Sequence, residues 1–193
     1  METTFADVTL LTAPGRVFTP RPATERLVDR ALELVDGRPL RVADVGTGTG
    51  AIAVPLAVKA PQLEIWASDI NPDAVTLARA NAELNGVADR VHGGQGDLLD
   101  PLPAAFDLIV ANLPYLPESL HDARYDGEPP DAIYAPGDGL DHYRRLLGAC
   151  EAGKLVTPGG ALLIQFHRKI LAANCWELKA LRARLDELQR AAA

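Results

Sequence analysis

The chain has 193 residues, a formal net charge of −7 and 48% hydrophobic residues, a size that fits one domain with an apolar core. No apolar run approaches the roughly 20 residues that cross a bilayer, and the acidic N-terminus lacks a secretory signal, so we expect a cytoplasmic protein without a membrane partner. The negative charge disfavours a nucleic-acid partner, because phosphate binding needs a basic surface.

Apolar runs alternate with amphipathic stretches along the chain. Helices are predicted over 22–36, 51–59, 71–85, 141–153 and most of 168–193; strands over 40–45, 64–70, 90–96, 106–111 and 161–166; and a long loop over 113–139. This alternation indicates an α/β fold with a mostly parallel, doubly wound sheet. We predict one domain over 1–193: an N-terminal segment and helix (1–36), a catalytic core (37–167) and a C-terminal helix (168–193).

Two local signals refine the predicted helices. Pro55 falls inside the second helix, where a proline predicts a kink. Asp141 precedes the fourth helix and is its predicted N-cap.

A glycine-rich turn, DVGTGTG at 44–50, follows the first of these strands. Glycines let the backbone approach a ligand, but the spacing also fits a dinucleotide fingerprint. Asp69 ends the second strand, where it can accept both ribose hydroxyls of an adenosine. Asp97 ends the third, where it can accept from the adenine amino group while the Leu98 N–H reaches the ring. Asp44 favours S-adenosylmethionine over NAD, because that ligand carries cationic groups and no pyrophosphate.

The sequence therefore predicts an S-adenosylmethionine site at the carboxyl ends of the strands. Its predicted residues are Asp44, Gly46, Thr47, Gly48, Gly50, Asp69, Ile70, Asp97, Leu98 and Asn112.

The motif Asn112-Leu113-Pro114-Tyr115 follows the fourth strand and is predicted to be catalytic. Its expected target is a planar nitrogen whose lone pair is delocalised. The Asn112 oxygen and the Leu113 carbonyl can each accept one N–H, and Pro114 restricts the direction of that carbonyl. Tyr115 can pack its ring on the planar group. These residues predict an N-methyltransferase that acts mainly by positioning.

Over roughly residues 16–165 the chain resembles the HemK/PrmC family of protein glutamine-N5 methyltransferases, class I enzymes with a Rossmann-like fold. The matching blocks are FTPRPATE at 18–25, the glycine turn, SDINP at 68–72, GD at 96–97, EP at 128–129, GDGLD at 137–141 and YR at 143–144. The resemblance implies a protein or peptide substrate, with a release factor expected. It also implies that Arg21 and Pro22 join Asn112, Pro114 and Tyr115 in binding it.

Three departures from the family pattern stand out. Leu113 replaces the usual proline, a change that also resembles rRNA adenine dimethyltransferases. The helical domain that usually precedes the catalytic domain is missing, and no strand pattern follows Phe166, so the last strands are expected to be absent or replaced by a helix. An uncovered sheet edge there predicts a homodimer, a partner chain or reduced stability.

Two other functions stay open at this stage. One is an adenine or small-molecule amino-methyltransferase, and the other is a non-catalytic module that keeps the cofactor fold. No metal site is predicted, because the four histidines, at 92, 121, 142 and 167, show no ligand spacing.

Overall fold

A computed structural model describes residues 1–103, 105–150 and 160–165 of the chain. The strands are β1 (Glu2–Phe5), β2 (Val8–Leu11), β3 (Arg41–Val45), β4 (Glu64–Asp69), β5 (Val91–Gln95), β6 (Leu108–Ala111), β7 (Leu116–Pro117), β8 (Tyr134–Ala135) and β9 (Ala161–Ile164). The α-helices are α1 (Pro22–Val35), α2 (Ala53–Lys59), α3 (Pro72–Leu84) and α4 (Asp141–Ala149).

Five strands form the central sheet in the order β5-β4-β3-β6-β9, and every neighbouring pair is parallel. The chain places β4 and then β5 on one side of β3, and afterwards places β6 and β9 on the opposite side of β3. The strand order therefore changes direction between β3 and β6. The predicted doubly wound α/β sheet is thereby confirmed. Ligands of such sheets bind at this change of direction, beyond the carboxyl ends of the strands.

Two apolar clusters cover the two faces of the sheet. One contains Val42 of β3 with residues of α1 and α2, and the other contains Ala43 and Val45 with residues of α4. Because successive strand residues point to opposite faces, a single buried strand supplies both clusters. The near-continuous apolar runs of the sequence follow from this double burial.

The N-terminal segment contains an element that the sequence reading missed. β1 and β2 pair as an antiparallel hairpin, and Phe5, Val8 and Leu10 are buried in the first apolar cluster. The turn of this hairpin is formed by Ala6 and Asp7, with φ of 45° and 63°. Glycine usually marks a turn with positive φ, and its absence here left the hairpin without that signal in the sequence. The alternation of Val8 and Leu10 was the available clue.

Two local predictions are corrected. Pro55 is the third residue of α2, and the N–H that a proline lacks has no intrahelical partner in a first turn anyway. Pro55 therefore disrupts no hydrogen bond of α2, and the kink predicted in this helix is not expected. Asp141 is the first residue of α4 rather than its cap, which is Leu140. The loop over 113–139 also holds the short parallel pair β7–β8 and two 3₁₀ turns.

The predicted helix over 168–193 and the end of the fifth predicted strand at Phe166 lie outside the described residues. The expected dimer or partner chain at the edge of β9 depends on the same region and stays a prediction. Within the described ranges, no helix has the length and apolar character needed to cross a membrane.

Candidate active site

The glycine turn and the Asn112 motif begin side by side. Val45, the last residue of β3, is paired in register with Ala111, the last residue of β6. Two cavities meet where these strands end. We call them the glycine-turn cavity, which includes Gly46, Gly48 and Asp69, and the tyrosine cavity, which includes Tyr115 and Tyr125. Asn112, Leu113 and Pro114 line both.

Most of the predicted site residues line one or both of these cavities. The glycine-turn cavity is lined by Gly46, Thr47, Gly48, Asp69, Ile70, Asp97, Leu98 and Asn112. The tyrosine cavity is lined by Arg21, Asn112, Leu113, Pro114 and Tyr115. Asp44, Gly50 and Pro22 were also predicted, but they line neither cavity.

Asp44 lies beneath the glycine turn. Its side chain is fully buried, and Oδ2 accepts from the Thr47 hydroxyl at 2.6 Å and from the Ala53 backbone N–H at 3.1 Å. Oδ1 is buried without a hydrogen-bond partner. Burial raises the pKa of Asp44 to about 7, and the two hydrogen bonds oppose that shift. Its direct role is to hold the turn.

This buried carboxyl predicts a pH-dependent stability. Because the folded-state pKa of Asp44 is raised, the stabilisation from its protonated form is fully present below about pH 4 and is lost as pH rises through about 7. The free energy of unfolding decreases by about 4 kcal/mol at most over this pH range. The free energy of unfolding, measured with urea between about pH 4 and pH 7, should not decline in this way in Asp44→Asn. The control variant Asp29→Asn, at an exposed position of α1, should show the same decline as the unmodified chain. Identical profiles for all three proteins would contradict the assignment.

Gly46 is required by the Leu113 side chain. Its φ is +72°, and a Cβ placed there would lie 2.7 Å from Leu113 Cδ2. Gly46 was predicted to let the backbone approach a ligand; in the structure its closest neighbour is Leu113 of the Asn112 motif. The glycine turn and the motif are therefore packed directly against each other.

Gly46→Ala should lower the free energy of unfolding more than Gly48→Ala. Both glycines have positive φ, a conformation that costs an alanine roughly 1–2 kcal/mol. A Cβ at Gly48 meets no atom within 4 Å, while one at Gly46 meets Leu113, adding about 1–3 kcal/mol. Chemical denaturation of the two variants measures the difference, and equal losses would show that the Leu113 contact is not limiting.

Asp69 is fixed by the backbone on both of its oxygens. Gly48 N–H donates to Oδ2 and Asn71 N–H donates to Oδ1, each at 2.9 Å. Burial raises the pKa of Asp69, and these hydrogen bonds partly offset the shift. A carboxylate has about four acceptor positions, so Asp69 keeps the capacity to accept from a ligand hydroxyl.

Asp97 and Leu98 form the far end of the glycine-turn cavity. Ser68 Oγ donates to the Leu98 carbonyl at 2.6 Å, which holds this turn with Leu98 at φ 48°. The Asp97 carboxylate accepts from Arg145 of α4. Arg145 was not among the predicted site residues, and nothing in the local pattern indicated it.

Asn112 is oriented by Thr24, a buried residue of α1 that sequence reasoning did not assign to the site. Asn112 Nδ2 donates to Thr24 Oγ1 at 3.2 Å. The side-chain oxygen of Asn112 is thereby left as the acceptor at the junction of the cavities. Thr24 lines both cavities as well, so this pair stands where the two meet.

The Leu113 backbone is held by the buried Tyr143. Leu113 N–H donates to the Tyr143 hydroxyl at 3.0 Å, and that hydroxyl lies 2.8 Å from the Gln165 carbonyl and 3.2 Å from the Leu113 carbonyl. A phenol has one hydrogen, and Gln165 is its nearer acceptor. The Leu113 carbonyl therefore keeps the capacity to accept from a ligand.

Aromatic rings form one wall of the tyrosine cavity. Phe18 and Tyr125 lie 6.4 Å apart by ring centroids, and the Arg21 guanidinium lies over both rings. Burial, with a smaller contribution from neighbouring Tyr125, raises the pKa of Tyr115, so this phenol stays neutral. Tyr125 was missed because it lies in the irregular part of the long loop.

Arg21 ties the segment before α1 to the long loop. Its Nη2 lies 2.7 Å from Oε1 of Glu128, whose side chain is 8% exposed, and Glu128 Oε2 accepts from Thr19 N–H. Arg21 therefore shapes the tyrosine cavity, with its charge already paired.

The described histidines do not converge on one point. His92 pairs with Glu64, His121 pairs with Asp126, and His142 lines the glycine-turn cavity; His167 lies outside the described residues. Within the described ranges, no group of three metal-binding side chains is placed to hold an ion.

The strand order, the glycine turn, the carboxylate that ends β4 and the one that follows β5 together define a Rossmann-like class I methyltransferase fold. The methyltransferase small domain model matches residues 22–124, more than half of the chain, and the chain belongs to this family. The matched range includes the glycine turn and the whole Asn112 motif.

The chain is similar to curated proteins named release factor glutamine methyltransferase. It is 45% identical over 173 residues to the Deinococcus radiodurans protein, covering 88% of this chain and 61% of that one. It is 43% identical over 155 residues to the Bordetella pertussis protein, covering 77% and 56%. The chain thus spans little more than half the length of these relatives.

Solved structures support the fold. A ribosomal protein L11 methylase from Lactobacillus delbrueckii subsp. bulgaricus matches with a TM-score of 0.59 and 24% identity, covering 91% of this chain and 72% of that one. The 16S rRNA N2 G1207 methyltransferase of T. thermophilus, solved with AdoMet and guanosine, matches with a TM-score of 0.61 and 21% identity, covering 85% and 40%.

Proposed function

We propose that the chain is an S-adenosylmethionine-dependent N-methyltransferase that methylates a glutamine side-chain amide of a protein, a peptide chain release factor being the expected substrate. The observation that carries the proposal is the position of Asn112 at the junction of the two cavities. A methyl donor on one side and an amide on the other would meet at this residue.

The glycine-turn cavity fits S-adenosylmethionine better than a dinucleotide. Asp69, Asp97 and Asp131 line it, and its arginine is already paired with Asp97. Buried Asp44 adds an unpaired carboxyl oxygen beneath the turn. Such a cavity attracts a ligand with an ammonium and a sulfonium and repels a pyrophosphate. Asp69 would hold the ribose, and Asp97 would accept from the adenine amino group.

The tyrosine cavity fits a planar amide. The Asn112 oxygen would accept one amide N–H and the Leu113 carbonyl the other, while the Tyr115 ring packs on the amide plane. Held this way, the nitrogen is aligned with the methyl group and is favoured in pyramidal geometry.

The reaction needs no general base before transfer. When bound, S-adenosylmethionine supplies an electrophilic methyl group. The amide nitrogen, held by Asn112 and Leu113, would take the methyl group, and the cofactor would leave as a neutral thioether. The methylated nitrogen is then strongly acidic, and it releases one proton to water. Tyr115 remains neutral, because its pKa is raised by burial.

A protein substrate is favoured over a nucleic acid. The long loop beside the tyrosine cavity carries Glu118, Asp122, Asp126, Glu128 and Asp131. Glu128 and Asp122 are paired with Arg21 and Arg124, and the net negative charge that remains on the loop would repel phosphates. The similarity to release factor glutamine methyltransferases supports the same choice.

The test is to incubate the full chain with S-adenosylmethionine and purified release factor, and to locate any added methyl group by mass spectrometry. We expect one methyl on a single glutamine and none on a release factor with that glutamine changed to asparagine. Methylation of adenine in RNA instead, or binding of NAD but not S-adenosylhomocysteine, would overturn the proposal.

A further inference from the structure

Helix α4 lies over the glycine-turn cavity and is anchored by its buried residue Tyr143. His142 and Arg145 flank this anchor, three positions apart on the helix, and both line the cavity. Residues with this spacing share one helix face. α4 therefore connects the Leu113 backbone, through Tyr143, to the far end of the cavity at Asp97 and Leu98.

Arg145 forms an ion pair with Asp97 across 48 positions of the sequence. Its Nη2 donates to Asp97 Oδ2, and the two side chains are 45% and 36% exposed. Oδ1 of Asp97 is the other acceptor on this carboxylate. The adjoining Leu98 carbonyl is already held by Ser68, so the backbone and the carboxylate of this turn are fixed by two separate elements.

We propose that Arg145 is a positioning residue of the adenine subsite, an inference that rests on the proposed function. It holds the Asp97 carboxylate turned so that Oδ1 accepts from the exocyclic amino group of adenine. A fixed anion at that point also repels a base that carries a carbonyl oxygen in place of the amino group. α4 thus contributes to the choice of base, although it lies outside the glycine turn and the strand ends.

The chain supplies a matched control in Arg144. This neighbouring arginine pairs with Asp138 at 2.6 Å, and its pair is exposed to nearly the same extent, at 43% and 35%. Arg144 lines neither cavity. Half-exposed ion pairs contribute at most about 1 kcal/mol to stability, so loss of either pair should leave the fold intact. We expect the two variants to differ in ligand binding.

The experiment is calorimetric titration of the full chain with S-adenosylhomocysteine and with S-inosylhomocysteine, which replaces the amino group by a carbonyl. We expect Arg145→Ala to weaken binding of the adenine ligand about 5- to 10-fold, less than removal of a charge-assisted hydrogen bond to the ligand itself would cause, because the Asp97 carboxylate remains. Arg144→Ala should leave it unchanged. The preference for adenine over hypoxanthine should also fall in Arg145→Ala alone.

A double-mutant cycle separates positioning from a general effect of charge. In an Asp97→Asn background, Arg145→Ala should cause no further loss, because the arginine acts through the carboxylate. Additive losses, an unchanged base preference, equal effects of the two arginines, or tighter binding in Arg145→Ala would each overturn the inference. Failure of the unmodified chain to bind S-adenosylhomocysteine would instead overturn the proposed function, and the inference with it.

Discussion

Replacing Asn112 by alanine should lower kcat for amide methylation by about 10²- to 10³-fold, while the affinity for S-adenosylhomocysteine changes little. In the proposed mechanism the side-chain oxygen of Asn112 would accept an N–H that becomes more acidic as the nitrogen is methylated, so its contribution would be larger in the transition state than in the bound substrate. Single-turnover methylation and calorimetric titration measure the two quantities separately. Unchanged turnover in Asn112→Ala would remove the mechanism.

Thr24 provides the control for orientation. Thr24→Val removes the oxygen that accepts from Asn112 Nδ2 at 3.2 Å but keeps the volume of the side chain, whereas Thr24→Ser keeps the oxygen. We expect Thr24→Val to lose about 10-fold in kcat and Thr24→Ser to retain most of it, since a misplaced acceptor is less costly than a missing one. Equal activity of these two variants would show that Asn112 is held by other contacts.

The sequence was sufficient to predict the elements that place the site. Asp69 and Asn112 follow apolar runs that fit buried parallel strands, and the carboxyl ends of neighbouring parallel strands necessarily lie together. The register of Val45 with Ala111 then brings the glycine turn beside the motif. These predictions succeeded because each depends on local pattern and on one topological rule.

The predictions failed where a residue acts through a distant partner. Thr24 contacts Asn112 across 88 positions, and Arg145 contacts Asp97 across 48. No periodicity encodes such pairs, since they depend on how helices are seated on the sheet. The hydrogen bonds of Asp44 to Thr47 and Ala53 within the turn were likewise not predicted, and its expected role toward a cationic ligand stays a prediction.

The packing of Leu113 against Gly46 gives a structural reason for leucine at the position where the family usually has proline. The Leu113 side chain is 5% exposed and fills the space that a Cβ at Gly46 would occupy. Its carbonyl, the group proposed to accept from the amide, is a backbone atom that any residue provides. Leucine at this position therefore adds packing between the two halves of the site and keeps the proposed acceptor.

Asp69→Asn should weaken S-adenosylhomocysteine binding by about 100-fold, with little change in kcat at saturating cofactor. The carboxylate would accept two ribose hydroxyls, and charge-assisted hydrogen bonds contribute roughly 1.5–3 kcal/mol each. An asparagine also turns an N–H₂ group toward either Gly48 N–H or Asn71 N–H, both of which donate to the present carboxylate. Asp73→Asn is the matched control, because Asp73 pairs with exposed Arg16 and lines neither cavity.

Acidification gives an independent check on the same residue. Because burial raises the pKa of Asp69, its carboxyl is protonated at a higher pH than an exposed aspartate, and cofactor affinity should fall as pH is lowered into that range. The Asp69→Asn variant has no carboxyl to protonate, so this part of the decline should be absent from its titrations. An affinity that is unaltered in Asp69→Asn at neutral pH, or that falls in parallel with the unmodified chain on acidification, would remove Asp69 from the ribose site.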